Sequence, residues 1–181
     1  DDHTIRVLEF EKVLALLADE AAFSIGRELA LAVRPETDYA LAFELQAQTA
    51  EMRALDQMGV DVPFAGAHDI RPAIHAAGIG QVLEPGDLVE AAQTLRTAWG
   101  AHRVIEKVRD RIPRLAFIAD EIADFRRFTD EVDRAITPRG EVADNASEQL
   151  AITRRELRTA ESRLDQRAQA ALNDAIRRGV A

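Results

Sequence analysis

Apolar positions recur along nearly the whole chain with the spacing of helices that are wet on one side. Phe10, Val13, Leu14 and Leu17 follow i, i+3, i+4, i+7. Ile25, Leu29, Ala32 and Val33 form a second stripe, ended by Pro35, which has no amide hydrogen with which to continue a helix. Asp38 suits the N-cap of a longer helix with Leu41, Leu45, Met52 and Leu55 on one face, stopping near Gly59. Residues 59–69 carry Gly59, Pro63 and Gly66 and read as a loop, followed by a short helix over 70–77. Glu84-Pro85 marks a helix start, because proline loses nothing at the first helical position. From there Leu88, Ala91, Ala92, Leu95, Trp99 and His102 share one face to about Asp110. Beyond Pro113, Leu115, Ile118 and Ile122 predict a short helix, and Phe125, Phe128, Val132 and Ile136 the next. Thr137-Pro138-Arg139-Gly140 predicts a turn closing a minimal hairpin between Ile136 and Val142. No segment sustains the period-two alternation of a strand. The expected class is an all-α helical bundle with a long C-terminal coiled-coil helix.

That last helix differs in kind from the others. Ser147 caps it and Glu148 sits near its positive end. Leu150, Leu157, Leu164 and Ala171 recur every seven residues, with Thr153, Ala160, Ala168 and Ala175 roughly filling the alternate seam positions. From Ser147 to Arg178 such a helix would extend roughly 48 Å at ~1.5 Å per residue. So narrow a stripe suits one partner helix, and no second helix of matching seam follows before Gly179-Val180-Ala181. The expectation is a chain cut where an arm goes out, its Leu150/Leu157/Leu164 seam pairing with a neighbouring copy.

Composition narrows the function classes. The chain has 181 residues and no cysteine, which excludes disulfides, thiolate catalysis and cysteine zinc sites. Its longest apolar runs, such as Val13 to Ala18, fall far short of a membrane span, and Asp1-Asp2-His3 lacks the blocks of a signal peptide. A cytoplasmic protein without membrane contact is expected. Net charge is −9, but residues 147–181 hold seven arginines against five acids. That +2 tail leaves −11 on the remaining 146 residues. Of the 23 basic residues only Lys12 and Lys107 are lysines.

No catalytic motif emerges. Neither lysine lies near a glycine-rich turn, so this segment alone has no phosphate loop, and Gly78-Ile79-Gly80 follows no parallel strand. His68 and His75, with Asp69 between them, form a conceivable metal pair only if both are helical, and His68 falls in a loop. Trp99, Phe125 and Phe128 read as core residues. No catalytic, cofactor or metal residue is therefore assigned. The serious candidates are Arg154, Arg155, Arg158, Arg163 and Arg167 on the last helix, for contact with nucleic-acid phosphates irrespective of base sequence. The plain alternative is a solvated coiled-coil surface laced with ion pairs to Glu161 and Asp165.

Several segments, taken in order, carry a family resemblance. They are Leu8-Glu9-Phe10-Glu11-Lys12-Val13-Leu14, Ser24-Ile25-Gly26, Arg34-Pro35, Asp69-Ile70-Arg71-Pro72, Val82-Leu83-Glu84-Pro85 and Leu95-Arg96. Gly140-Glu141-Val142 follows, then Asp144-Asn145-Ala146-Ser147 with Leu150 and Arg154 beyond. The set resembles the N-terminal part of the MutS-two family, the bacterial MutS paralogue without mismatch-reading domains. Thr137-Pro138 departs from the acidic turn expected there. The resemblance implies a helical core or lever over 1–146 and the outgoing arm of a coiled-coil clamp over 147–181. It further implies a dimeric full-length protein with an ATPase domain that holds ATP and Mg, and a nuclease domain, both absent here. Its implied ligands are branched or damaged DNA, in suppressing homologous recombination, or ribosomal RNA, in clearing collided ribosomes. An adaptor that docks another protein's helix on the leucine seam is the alternative.

Overall fold

A computed structural model describes residues 2–177. Arg178 and Gly179-Val180-Ala181 lie outside the described residues, as do the side chains of Asp2, Thr4, Ile5 and the seam residue Ala175. The fold is all-α. The elements are α1 (Asp2–Val7), α2 (Phe10–Asp19), α3 (Ser24–Ala32), α4 (Tyr39–Gln57) and α5 (Arg71–Gly78). After these come α6 (Pro85–Glu106), a 3-10 turn (Arg109–Arg111), α7 (Pro113–Ala119), α8 (Arg126–Ala135) and α9 (Glu148–Arg177). Among the described residues no helix is long and apolar enough to cross a membrane. The chain divides into two compact units, Asp1–Val132 and Asp133–Ala181.

In the first unit, local chemistry sets the ends of the central helices. The Asp38 carboxylate accepts from the Leu41 amide at 3.1 Å, which caps α4. At the other end Gly59 adopts φ +67°, its amide donates to Asp56 O, and the Val60 amide donates to Leu55 O. That six-to-one closure needs a left-handed residue, the reason a glycine stands there. The loop beyond folds onto α6. The Thr94 hydroxyl accepts from the His68 amide at 2.9 Å, and a Cβ added to Gly66 would stand 2.5 Å from Gln93 Nε2. Leu55, Val62, Ala101 and Ile112 form the core cluster, flanked by Met58, Val60, Val104, Ile105, Val108 and Leu115. α6 buries Ala92 and Ala101, which their spacing of nine residues puts on opposite sides of the helix, and it ends at Glu106 rather than running on to Asp110.

α7 is started by a neighbour. Its first free amides, on Arg114 and Leu115, both donate to the Glu51 carboxylate of α4 at 3.0 Å, while Arg114 Nε reaches Glu44 at 3.0 Å. A carboxylate at a helix N-terminus satisfies orphan donors and opposes the positive end of the dipole. The residues α7 buries are Ala116 and Ala119, with Ile112 just before it, whereas Ile118 is exposed and Ile122 lies past its end.

The stripes on α2 and α3 are only partly covered. Leu14 and Ala18 of α2 and Ala30 of α3 are buried, while Val13, Leu17, Leu29 and Val33 are exposed. A polar tie joins this hairpin to the residues ahead of α5, with Arg71 gripping Glu28 at 2.6 Å and Asp69 at 2.6 Å. Both carboxylates are held below their usual range, chiefly by hydrogen bonds from Arg71.

Candidate nucleic-acid interface

The second unit builds the base of a long helix from a turn. Ile136 and Val142 form the antiparallel bridge, Thr137 N–H donates to Glu141 O at 2.8 Å, and Gly140 N–H donates to Thr137 O at 2.9 Å. Ser147 Oγ then accepts from the Leu150 amide at 3.1 Å, which starts α9 where the sequence places it.

Asp144, in the short stretch between bridge and helix, is the organising acid. It accepts from Arg154 at 2.6 Å and from Arg158 at 2.9 Å, and Arg154 also donates to the Val142 carbonyl at 2.8 Å. Two guanidinium groups one turn apart thereby converge on one carboxylate. They hold its pKa below the usual range, Arg154 first and Arg158 second. Arg154 is consequently engaged in fastening the turn to the helix.

The other arginines are differently placed. Arg155, Arg158, Thr159, Ser162, Arg163 and Gln166 line a shallow groove along the shaft. Among the described residues Arg155, Arg163 and Arg167 make no ion pair, and the pairs to Glu161 and Asp165 are not formed. Residues 155, 159, 162 and 166 follow the four-three-four spacing of one helix face, and over that stretch the face carries hydrogen-bond donors and no acid. Leu157 stands two residues from both 155 and 159, so the leucine seam runs along the opposite side. Leu157 and Leu164 are exposed.

Other candidate chemistry resolves differently. His68 and His75 do not join a metal-type cluster among the described residues; His102, Glu106 and Asp120 do, with ligand atoms within 4.8 Å of one another. The i, i+4 pair of His102 and Glu106 on α6 was visible in the sequence, but the approach of Asp120 was not. A cation already spans the two acids. Arg109 pairs with Glu106 at 2.6 Å and closely with Asp120, and it lowers the pKa of Asp120 more than any other group does. The His102 ring stacks on Trp99 at 4.6 Å and 8°, and the Arg126 guanidinium stands 5.6 Å from the Trp99 ring centre. Trp99 is half-buried in this stack, while Phe125 is exposed rather than core.

The described residues form an all-helical chain whose last and longest helix carries the leucine seam and the candidate arginines. No family model matches the chain. It is 35% identical over 167 residues to an endonuclease MutS2 of Symbiobacterium thermophilum, a match covering 92% of this chain and 21% of that protein. Endonuclease MutS2 proteins of Bacillus mycoides and a Geobacillus species are 34% and 33% identical, over 97% and 95% of this chain and 24% of each relative. The chain belongs to the MutS2 family and spans between a fifth and a quarter of the length of these relatives.

Proposed function

We infer that the chain is the helical scaffold and outgoing clamp arm of a MutS-family ATPase with endonuclease activity. Residues 1–146 are its core and lever, and residues 147–181 begin the arm. In the full-length dimer, an ATPase domain holding ATP and Mg drives the lever. The clamp grips branched or damaged DNA, in suppressing homologous recombination, or ribosomal RNA, in rescuing collided ribosomes. One observation carries this reading: α9 presents Arg155, Arg163 and neutral donors on the face opposite its leucine seam. A helix so divided offers one side to a partner helix and the other to phosphates.

The test is a salt titration of full-length protein binding to branched DNA and, separately, to ribosomal RNA. Arg155→Ala with Arg163→Ala is expected to weaken binding and to flatten the slope of log K against log salt by about 1.8 on duplex, at ~0.9 per lost phosphate contact. Arg154→Ala, already committed to Asp144 and the Val142 carbonyl, should leave that slope in place. An unchanged affinity and slope in the double variant would remove the arginine face from the proposal. The exposed Leu157 and Leu164 favour a second reading, an adaptor that docks a protein helix. Leu157→Glu with Leu164→Glu would then abolish capture of a protein while nucleic acid is bound by neither form.

A further inference from the structure

Where α6 meets the end of α7, the chain gathers three side chains of metal-ligating type. His102 and Glu106 stand four residues apart on α6, which puts both on one face of that helix. Asp120 closes α7 at its C-terminal end and brings the third group. The ligand atoms of all three lie within 4.8 Å of one another. Around a tetrahedral ion bonded at about 2.0–2.1 Å, ligand atoms stand ~3.3 Å apart, a contraction within reach of half-exposed carboxylate side chains. Arg109 now pairs with Glu106 at 2.6 Å and closely with Asp120. These side chains are 40–50% exposed, a setting in which ion pairs are screened and weak. The other guanidinium nearby, Arg126 over the Trp99 ring, is matched by Asp124 at 2.6 Å. The imidazole, by contrast, is uncommitted. Its Nδ1 is shut from solvent and has no hydrogen-bond partner, a state rare enough in folded proteins to call for a reason. The ring is nonetheless held in place, stacked on Trp99 at 4.6 Å and 8°. Arg109 thus satisfies the carboxylates and leaves the imidazole unused.

We propose that His102, Glu106 and Asp120 form a binding site for a divalent metal ion of the zinc type, which displaces Arg109 from the two acids. An ion that takes nitrogen and oxygen ligands alike uses all three groups. One imidazole and two carboxylates suit zinc, whereas magnesium and calcium favour oxygen ligands alone. Three protein ligands leave a fourth position to water. Binding clips α6 to the end of α7 and releases Arg109, so metal and arginine are alternative cations for one acid pair. The proposal does not depend on whether α9 binds nucleic acid.

Equilibrium dialysis of the full-length protein against micromolar zinc tests it, read as the difference between unsubstituted protein and variants so that zinc held elsewhere cancels. His102→Ala is expected to hold one zinc fewer per chain. Glu106→Gln and Asp120→Asn should each weaken that zinc at least about tenfold, since even groups that merely orient a metal ligand are worth about 10- to 100-fold in affinity. Arg109→Gln removes the competing cation and should tighten binding about three- to tenfold. In the unsubstituted protein, zinc should shield His102 from diethylpyrocarbonate, read by mass spectrometry of its peptide, and magnesium should not. This second readout needs no variant to fold. Equal zinc in the unsubstituted and His102→Ala proteins would overturn the proposal, as would a His102 that reacts equally fast with and without zinc. So would zinc that survives both carboxylate substitutions undiminished, which means an ion on His102 alone, or weaker binding in Arg109→Gln.

Discussion

Leu55 on α4 and Leu164 on α9 hold the same kind of position in sequence, an apolar site on a helical stripe, and they meet opposite fates. Leu55 is 1% exposed and Leu164 is 67% exposed. Around Leu55 the chain closes on itself through Val62, Ala101 and Ile112. Along the shaft every residue from 155 to 174 is exposed. Periodicity therefore declares that a helix has a preferred face but is silent about what covers it. In the body the cover comes from α4, α6 and the start of α7, while the shaft's seam stays open among the described residues.

Truncation in the two regions should separate them most sharply. Ile112→Ala removes a fully buried side chain from between α6 and α7 and is expected to lower the unfolding free energy by about 2–5 kcal/mol in urea. Leu164→Ala should change it by less than about 0.5 kcal/mol in the same assay. Equal losses at the two sites would mean that the seam is covered in solution and that the contrast is false. A smaller effect sharpens the body's side of the comparison. Glu51→Ala leaves the Arg114 and Leu115 amides without their acceptor and is expected to cost about 1–2 kcal/mol, with the loss of order centred on α7 by amide exchange.

What could be read ahead of the structure was whatever is settled within a few residues. The Asp38 and Ser147 caps, the Glu84-Pro85 start, the stop at Gly59 and the Ile136–Val142 bridge are all local chemistry, and all stand as read. Burial was less legible. On α3 the apolar stripe points to Leu29, yet Ala30 is the buried residue, because close helix approach selects small side chains and hydrophobicity scales reward large ones. Glu51 serving α7 and Asp120 approaching His102 link residues far apart in sequence, and no spacing rule reaches across such gaps. The five candidate arginines looked equivalent in sequence. Asp144 makes them unequal by engaging Arg154 and Arg158 and leaving Arg155, Arg163 and Arg167 outside its reach.

That inequality yields the smallest effect and the finest test. Asp144 fastens the base of the shaft to the turn before it, and its carboxyl is held below the usual range by Arg154 first and Arg158 second. A carboxylate whose folded pKa is depressed adds stability above its unfolded value, about 3.9, and loses it as pH falls through the lower folded value. The fastening is thus complete at neutral pH and releases only in acid. Carbon-13 detection of the Asp144 carboxyl should show it titrating below the unfolded value. Arg154→Ala should move that midpoint upward, and Arg158→Ala should move it upward by less. The base of α9 should follow the same curve, with amides near Leu150 exchanging faster as Asp144 takes up its proton. If Asp144 titrates at the unfolded value, or if Arg158→Ala moves it more than Arg154→Ala, then Arg154 is not the residue that anchors the helix. It would return to the same standing as Arg155 and Arg163, and the division of the arginine face into anchor and contact residues would have to be redrawn.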